Sequence, residues 1–122
     1  LVWNSIPTSN GAAADFVLGQ ANFTSSTAAA GAQGMSNPKG VVSNGSQIFV
    51  ADMGNNRVLV FNSFPSSNNP AADVVIGQPD FITTTAGTAP AKLSAPEGVA
   101  VNEGFLFVSD TINHRVMMYA TH

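Results

Sequence analysis

The sequence predicts an all-β fold made of repeated four-stranded antiparallel sheets, and three observations predict it. The 122-residue chain carries an internal repeat of about 58 residues. Each repeat holds four short apolar runs separated by turn-forming residues. No segment has the length and the 3.6-residue period of a helix.

The repeat rests on paired segments. Val60-Phe61-Asn62-Ser63-Phe64-Pro65 echoes Val2-Trp3-Asn4-Ser5-Ile6-Pro7. Ala71-Ala72-Asp73-Val74-Val75-Ile76-Gly77-Gln78 echoes Ala13-Ala14-Asp15-Phe16-Val17-Leu18-Gly19-Gln20, and Phe81 follows as Phe23 does. Pro96-Glu97-Gly98-Val99 matches Pro38-Lys39-Gly40-Val41, and Phe107-Val108-Ser109-Asp110 matches Phe49-Val50-Ala51-Asp52. Asn113-His114-Arg115-Val116 matches Asn55-Asn56-Arg57-Val58. Roughly 27 of the 64 positions that overlap at this offset are identical, without a gap, and low-complexity coincidence does not produce that.

In the complete unit the expected strands are Gly40–Ser43, Gln47–Ala51, Arg57–Asn62 and Asp73–Gly77. They are rich in Val, Ile and Phe and bounded by Gly, Pro, Asn and Ser. Asn44-Gly45 lies between the first two and predicts a tight type I′ hairpin. The Ala-rich stretch Ala28–Ala32 is short and flanked by Thr and Gly, so a loop is expected there. Ile48-Phe49-Val50-Ala51 and Val58-Leu59-Val60-Phe61 are apolar at successive positions, hence on both faces. Antiparallel strands usually leave one face wet, so these sheets must be covered on both sides. Four-stranded antiparallel sheets that repeat and stack face to face are β-propeller blades.

Two stretches carry a family resemblance. Pro96 to Val101, then Leu106-Phe107-Val108-Ser109-Asp110-Thr111-Ile112-Asn113-His114-Arg115-Val116, closely resembles the NHL repeat. Asn113-His114 supplies its first two letters, with Arg115 as a common variant of the third. The earlier copy, Pro38 to Val58, is similar with Asn56 in place of His. The Gly-Gln-x-x-Phe segments at Gly19–Phe23 and Gly77–Phe81 resemble long-repeat NHL proteins of bacteria. The resemblance implies four strands per blade and six blades in one ring. It does not imply an activity, because propellers host many unrelated ones.

Residues 1–122 are therefore expected to form a single NHL-type propeller fragment. Repeat 1 covers approximately residues 1–58 and repeat 2 residues 59–116, with 117–122 beginning a third copy. Leu1–Asn4 matches the end of a third strand, and Asp15–Gly19 matches a fourth, outer strand. One full unit follows, and the next stops after its third strand at Arg115–Tyr119. The expectation is either an excised piece of a longer propeller or a chain completed by other copies of itself. In the second case three chains form a six-bladed ring, each donating Asp15–Gly19 to its neighbour. Leu1–Ile6 and Met117–His122 are equivalent segments and would compete for one place, which suits an excised piece or an open head-to-tail polymer at least as well as a closed ring.

Composition bounds the function. Only 9% of residues are charged, against about 25% in an average domain, and small polar residues fill the gap. That balance suits a secreted or cell-surface bacterial protein. The net charge is −3, and the basic residues Lys39, Arg57, Lys92 and Arg115 are scattered, which disfavours nucleic acid as a partner. Cysteine is absent, so disulfides and thiolate metal sites are excluded. No apolar run approaches the roughly 18 residues of a membrane span. No signal-peptide pattern is present.

Asp52, Arg57, Asp110 and Arg115 form two Asp-x-x-Asn-x-Arg patterns that close the turn between second and third strands. They could form a polar ring at one end of a central channel, holding a ligand or a cation. They could instead be scaffold, with Asp accepting backbone N–H bonds and Arg pairing with the acid. Their repetition in register favours the scaffold. Asp15 and Asp73 are expected to shape the start of the outer strand. Lys39, Asp80, Lys92, Glu97 and Glu103 are unmatched and stand as candidates for specific contacts or plain solvated surface.

His114, the single internal histidine, is a further candidate for ligand binding; a metal site usually needs three or four ligands, so one His per chain could build one only across subunits. Trp3, Phe61 and Tyr119 are equivalent aromatics that could stack on a sugar, with core packing the expected role of Phe61. Phe23 and Phe81 are expected to fill the space between successive blades. Asn22-Phe23-Thr24 and Asn44-Gly45-Ser46 match the glycosylation sequon. No Gly-x-Ser-x-Gly elbow, Gly-rich phosphate loop or EF-hand loop is present. Peptidyl-hydroxyglycine lyases with NHL repeats place metal-binding His, Tyr and Arg residues around the channel, and nothing here matches them residue by residue. The expected function is a non-catalytic binding, interaction or structural module without a cofactor, its partners being other copies of itself, the rest of a longer propeller, or a protein or glycan ligand. The alternative is a metal-assisted lyase or hydrolase, with a divalent cation in a channel formed only in the complete ring.

Overall fold

The apolar runs become strands because β-branched and aromatic side chains pack on a pleated surface and turn residues punctuate them. A computed structural model describes residues 1–122. The first sheet contains β1 (Pro38–Ser43), β2 (Ile48–Asp52), β3 (Arg57–Phe61) and β4 (Val74–Ile76) in that order. The second contains β5 (Pro96–Asn102), β6 (Phe105–Asp110) and β7 (Arg115–Ala120). All pairings are antiparallel, and neither sheet closes into a barrel. Helix is confined to single 3₁₀ turns at Met53–Asn55 and Thr111–Asn113. Ala28–Ala32 is loop.

The strands lie within two residues of their expected limits. Pro38 and Pro96 open β1 and β5, which are edge strands, so the missing N–H interrupts no ladder. Each is followed by a shift of register, between Pro38 and Gly40 and between Pro96 and Val99.

The first hairpin corrects the expected turn. Ser43 pairs with Ile48 rather than with Ser46, and the turn closes through Asn44 N–H donating to the Gln47 carbonyl, 3.3 Å. Its central residues are Gly45 and Ser46, and only Gly45 has positive φ, at 98°. That is the pattern of type II′, not type I′. The Asn44 side chain selects it, its Oδ1 accepting the N–H groups of Ser46 and Gln47. The type I′ pattern occurs in the second hairpin instead. There Asn102 pairs with Phe105 around Glu103 and Gly104, whose φ values are 48° and 83°.

The two sheets stack. Every residue of β2 and β3 is buried, as side chains apolar on both faces require. One face contributes Met35, Ile48, Val50, Leu59, Phe61 and Ala72 to a first core, against which Leu18, Val75 and Phe81 pack. The other face contributes Phe49, Val58 and Val60 to a second core shared with Leu93, Leu106 and Val108. In β7 burial alternates, with Val116, Met118 and Ala120 turned to solvent.

The N-terminal segment forms a fragment of a further pairing. Val2 and Phe16 make an isolated antiparallel bridge. It lies 58 residues before the Val60–Val74 pair of β3 and β4. Asp15 Oδ2 accepts Asn4 N–H at 2.7 Å, and Asp73 Oδ2 accepts Asn62 N–H at 2.7 Å. Each aspartate therefore braces the start of the outer segment, as expected.

Candidate functional site

The spacing shared by the two Asp-x-x-Asn-x-Arg stretches is one turn between paired strand ends. Asp52 ends β2, Arg57 begins β3, and the two are register partners. The 3₁₀ turn between them brings Asn55 back onto the carboxylate. Asp52 Oδ1 accepts Ser36 N–H at 2.7 Å; its Oδ2 accepts Asn55 Nδ2 at 2.9 Å and Arg57 Nε at 2.7 Å. The rest of the guanidinium donates to carbonyls: Nη1 to Phe81 at 2.6 Å, Nη2 to Gly31 at 2.9 Å and Gly34 at 3.0 Å. Both side chains are fully buried. This one ion pair ties β2, β3, the loop before β1 and the segment after β4 together.

The same set recurs 58 residues later. Asp110 Oδ1 accepts Ser94 N–H at 2.7 Å, and its Oδ2 accepts Asn113 Nδ2 at 2.8 Å and Arg115 Nε at 2.7 Å. Arg115 Nη2 reaches the Lys92 carbonyl at 3.0 Å, the equivalent of Gly34, but Nη1 donates to Thr88 at 2.8 Å. The position that Phe81 fills beside Arg57 has no counterpart here, and the Arg115 side chain is 30% exposed. No buried side-chain nitrogen or oxygen in the molecule lacks a hydrogen-bond partner. The four residues thus form two separate, internally satisfied staples.

His114 and its equivalent Asn56 cap the 3₁₀ turns in the left-handed region, each with φ of 54°. Asn and His are among the few non-glycine residues that tolerate this conformation. Asn56 uses it to join the sheets. Its Oδ1 accepts Ala95 N–H at 2.8 Å, just before β5, and its Nδ2 donates to the Thr84 carbonyl at 2.9 Å. His114 presents its ring to solvent at the corresponding point on the second sheet. Asn56 was not singled out by sequence, although an Asn repeating against a His directly after a tight turn is the available signal. Gln78 was also missed. Its Nε2 donates to the carbonyls of Asn56 at 2.9 Å and Thr85 at 3.0 Å, and Gln20 donates to Thr27 at 2.9 Å in the same way.

The three equivalent aromatics are dispersed. Phe61 is buried in the first core, Tyr119 packs against the second, and Trp3 is exposed with Nε1 donating to the Ala12 carbonyl at 3.1 Å. Burial raises the Tyr119 pKa above 10.0, and the Asp110 carboxylate adds to this while Arg115 opposes it. Phe81 packs on the first core, and Phe23 is exposed. Among the unmatched charges, Lys92 Nζ donates to Gln78 Oε1 at 3.1 Å. Asp80 accepts the N–H groups of Thr83 and Ile82, and these bonds, with Thr83 foremost, lower its pKa.

Two clefts remain. One of about 330 Å³ lies between the N-terminal segment and the first sheet, lined by Leu1, Val2, Leu18, Met35, Val41 and Val50 among others. Another of about 210 Å³ lies between the sheets, with Gln47, Asn62, Tyr119 and His122 on its walls. Neither is lined by Asp52, Arg57, Asp110 or Arg115. No group of three or more His, Asp or Glu side chains is placed to hold a metal ion, and no helix is long and apolar enough to cross a membrane. Compared with protein-family models and with curated proteins, the chain matches none.

Proposed function

We propose that this chain is a stretch of NHL-type β-propeller blades serving as a non-catalytic binding and assembly module at the cell surface or outside the cell. One observation carries the non-catalytic part of the reading. The polar side chains that repeat with the blade spend their hydrogen bonds on one another and on backbone carbonyls. A catalytic group needs a free donor or acceptor facing a cleft, whereas Asp52, Arg57 and Asp110 are sealed from solvent and Arg115 is mostly covered. The propeller part is supported by two stacked antiparallel sheets whose staples recur at the repeat spacing. The sparse charge supports the location, and the loops offer variable surface for a protein or glycan.

Metal analysis and melting of the purified protein test this. The expected result is no stoichiometric divalent ion and an unchanged melting midpoint when chelator is added. A tightly held ion whose removal lowers the midpoint would overturn the reading in favour of metal-assisted lyase or hydrolase chemistry.

A further inference from the structure

The solvent face of the second sheet is a repeat of a face that the same chain buries. Val58 and Val60 are 0% and 5% exposed, whereas their equivalents Val116 and Met118 are 66% and 60% exposed. Phe49 lies in the second core; its equivalent Phe107 sits beside Met118 on the open face. Ala100 pairs with Phe107 on that face as well. The side chains stay apolar although water covers them. Contiguous apolar surface of this kind marks an association site.

What covers such a face is visible within the chain. Phe49, Val58 and Val60 are covered by Leu93, Leu106 and Val108, with Val99 packed alongside. Subtracting the repeat length gives Met35, Ile48, Val50 and Val41. These residues line the apolar cleft of the first sheet, where Val41 is 69% exposed. One end of the molecule thus carries the counterpart of the surface at the other end, exposed at Val41 and covered over Met35, Ile48 and Val50. The segment around Val2 stands in the way, held by its bridge to Phe16, by Asn4 N–H donating to Asp15 and by Trp3 Nε1 donating to the Ala12 carbonyl. The bridge comprises Val2 N–H to the Phe16 carbonyl at 2.8 Å, with Asp15 and Phe16 N–H donating to the Val2 carbonyl at 2.8 and 3.2 Å.

We infer that this face docks into the cleft of a second copy of the chain, head to tail. In the docked state β7 displaces residues 1–4 of that copy, and Met118 takes the place of Val2 opposite Phe16. Val60 opposite Val74 sets the register. Sheet-to-sheet packing repeats the interface already present between the two sheets. The two surfaces differ, so the contact is heterologous, and a docked pair still offers one free face and one free cleft. The inference rests on the assembly part of the proposed function. Its failure would leave the metal and chelator results standing, so the two can be told apart.

The test is sedimentation of the 122-residue chain and of two variants. Met118→Lys places a charge on the open face, and Val41→Glu places one in the cleft. Both positions are exposed in the single chain, and circular dichroism checks that the β signal is retained. Val116→Lys serves as a second variant of the open face. Wild type is expected to sediment above the 12.5 kDa of one chain, with the mass rising with concentration. Each variant alone is expected to sediment as one chain. Mixing the two variants is expected to give a complex of two chains and nothing larger, because only one good face and one good cleft remain. A wild type that stays at one chain at every concentration overturns the inference. So does association that survives Met118→Lys and Val116→Lys, or a mixture in which no complex forms.

Discussion

Removing the Asp52 carboxylate would leave the buried Arg57 guanidinium, the Asn55 amide and the Ser36 N–H without their acceptor. An uncompensated buried charge costs about 3–5 kcal/mol, a large share of the roughly 5–15 kcal/mol that holds a domain together. Asp52→Ala is therefore expected to lower the urea midpoint severely. Asp110→Ala is expected to lower it less, because the partly exposed Arg115 can turn to water. Equal losses would contradict the role assigned to the Phe81 segment. Tyr119 gives a second readout at this scale, since it is the chain's single tyrosine. Its raised pKa means that the fold favours the protonated phenol. That contribution is fully present below the unfolded value near 10 and is lost as pH rises through that value toward the folded pKa. Phenolate absorbance should titrate above 10.0 in the folded chain and return to about 10 in denaturant.

At the scale of elements, the Gly-Gln segments show why one residue type recurs. Gly77 has φ of +93°, and a Cβ there would meet Leu93 Cγ and Cδ1 at 2.7 Å. Gly19 has φ of +83°, and its Cβ would meet Met35 Sδ at 2.8 Å. Leu93 is branched and fully buried, whereas methionine is unbranched and adapts. Overpacking typically costs about 1–3 kcal/mol, and the left-handed backbone adds about 1–2 kcal/mol. Gly77→Ala is therefore expected to destabilise more than Gly19→Ala, as thermal melting of the two variants would measure. Strand existence at this scale was legible from Val-, Ile- and Phe-rich runs between turn residues. The hairpin type was not. Asn44-Gly45 reads as type I′, yet the Asn44 side chain captures Ser46 and Gln47 N–H and moves the turn centre on by one residue. Glu103-Gly104 carries the type I′ pattern with a glutamate at positive φ, which no propensity would select.

At the scale of the whole molecule, the chain is polar along its length in the sense of having two different ends. The first sheet has neighbours on both faces, and the second has one face open. The incomplete environment is felt locally: Arg115 is partly exposed where Arg57 is sealed, and His114 meets solvent where Asn56 bridges two loops. Identical motifs thus differ because of what stacks on them. The scaffold use of Asp52, Arg57, Asp110 and Arg115 was partly legible, since charges repeating in register are what a repeated sheet requires. Their exact partners were not, because Gly31, Gly34 and Phe81 lie 23 to 26 residues from Arg57 in sequence.

The repeat, the strands and the absence of long helices followed from the sequence by itself, because they depend on side-chain type and on short-range spacing. So did the suspicion that Asp52/Asp110 and Arg57/Arg115 belong to the framework. Only the tertiary structure decided that both staples are closed, that Asn56 joins the sheets, and that Val116 and Met118 are left in water while Val58 and Val60 are buried. The reason is physical. Backbone propensity and turn chemistry act between near neighbours, but burial and hydrogen-bond satisfaction depend on which distant surface lies opposite.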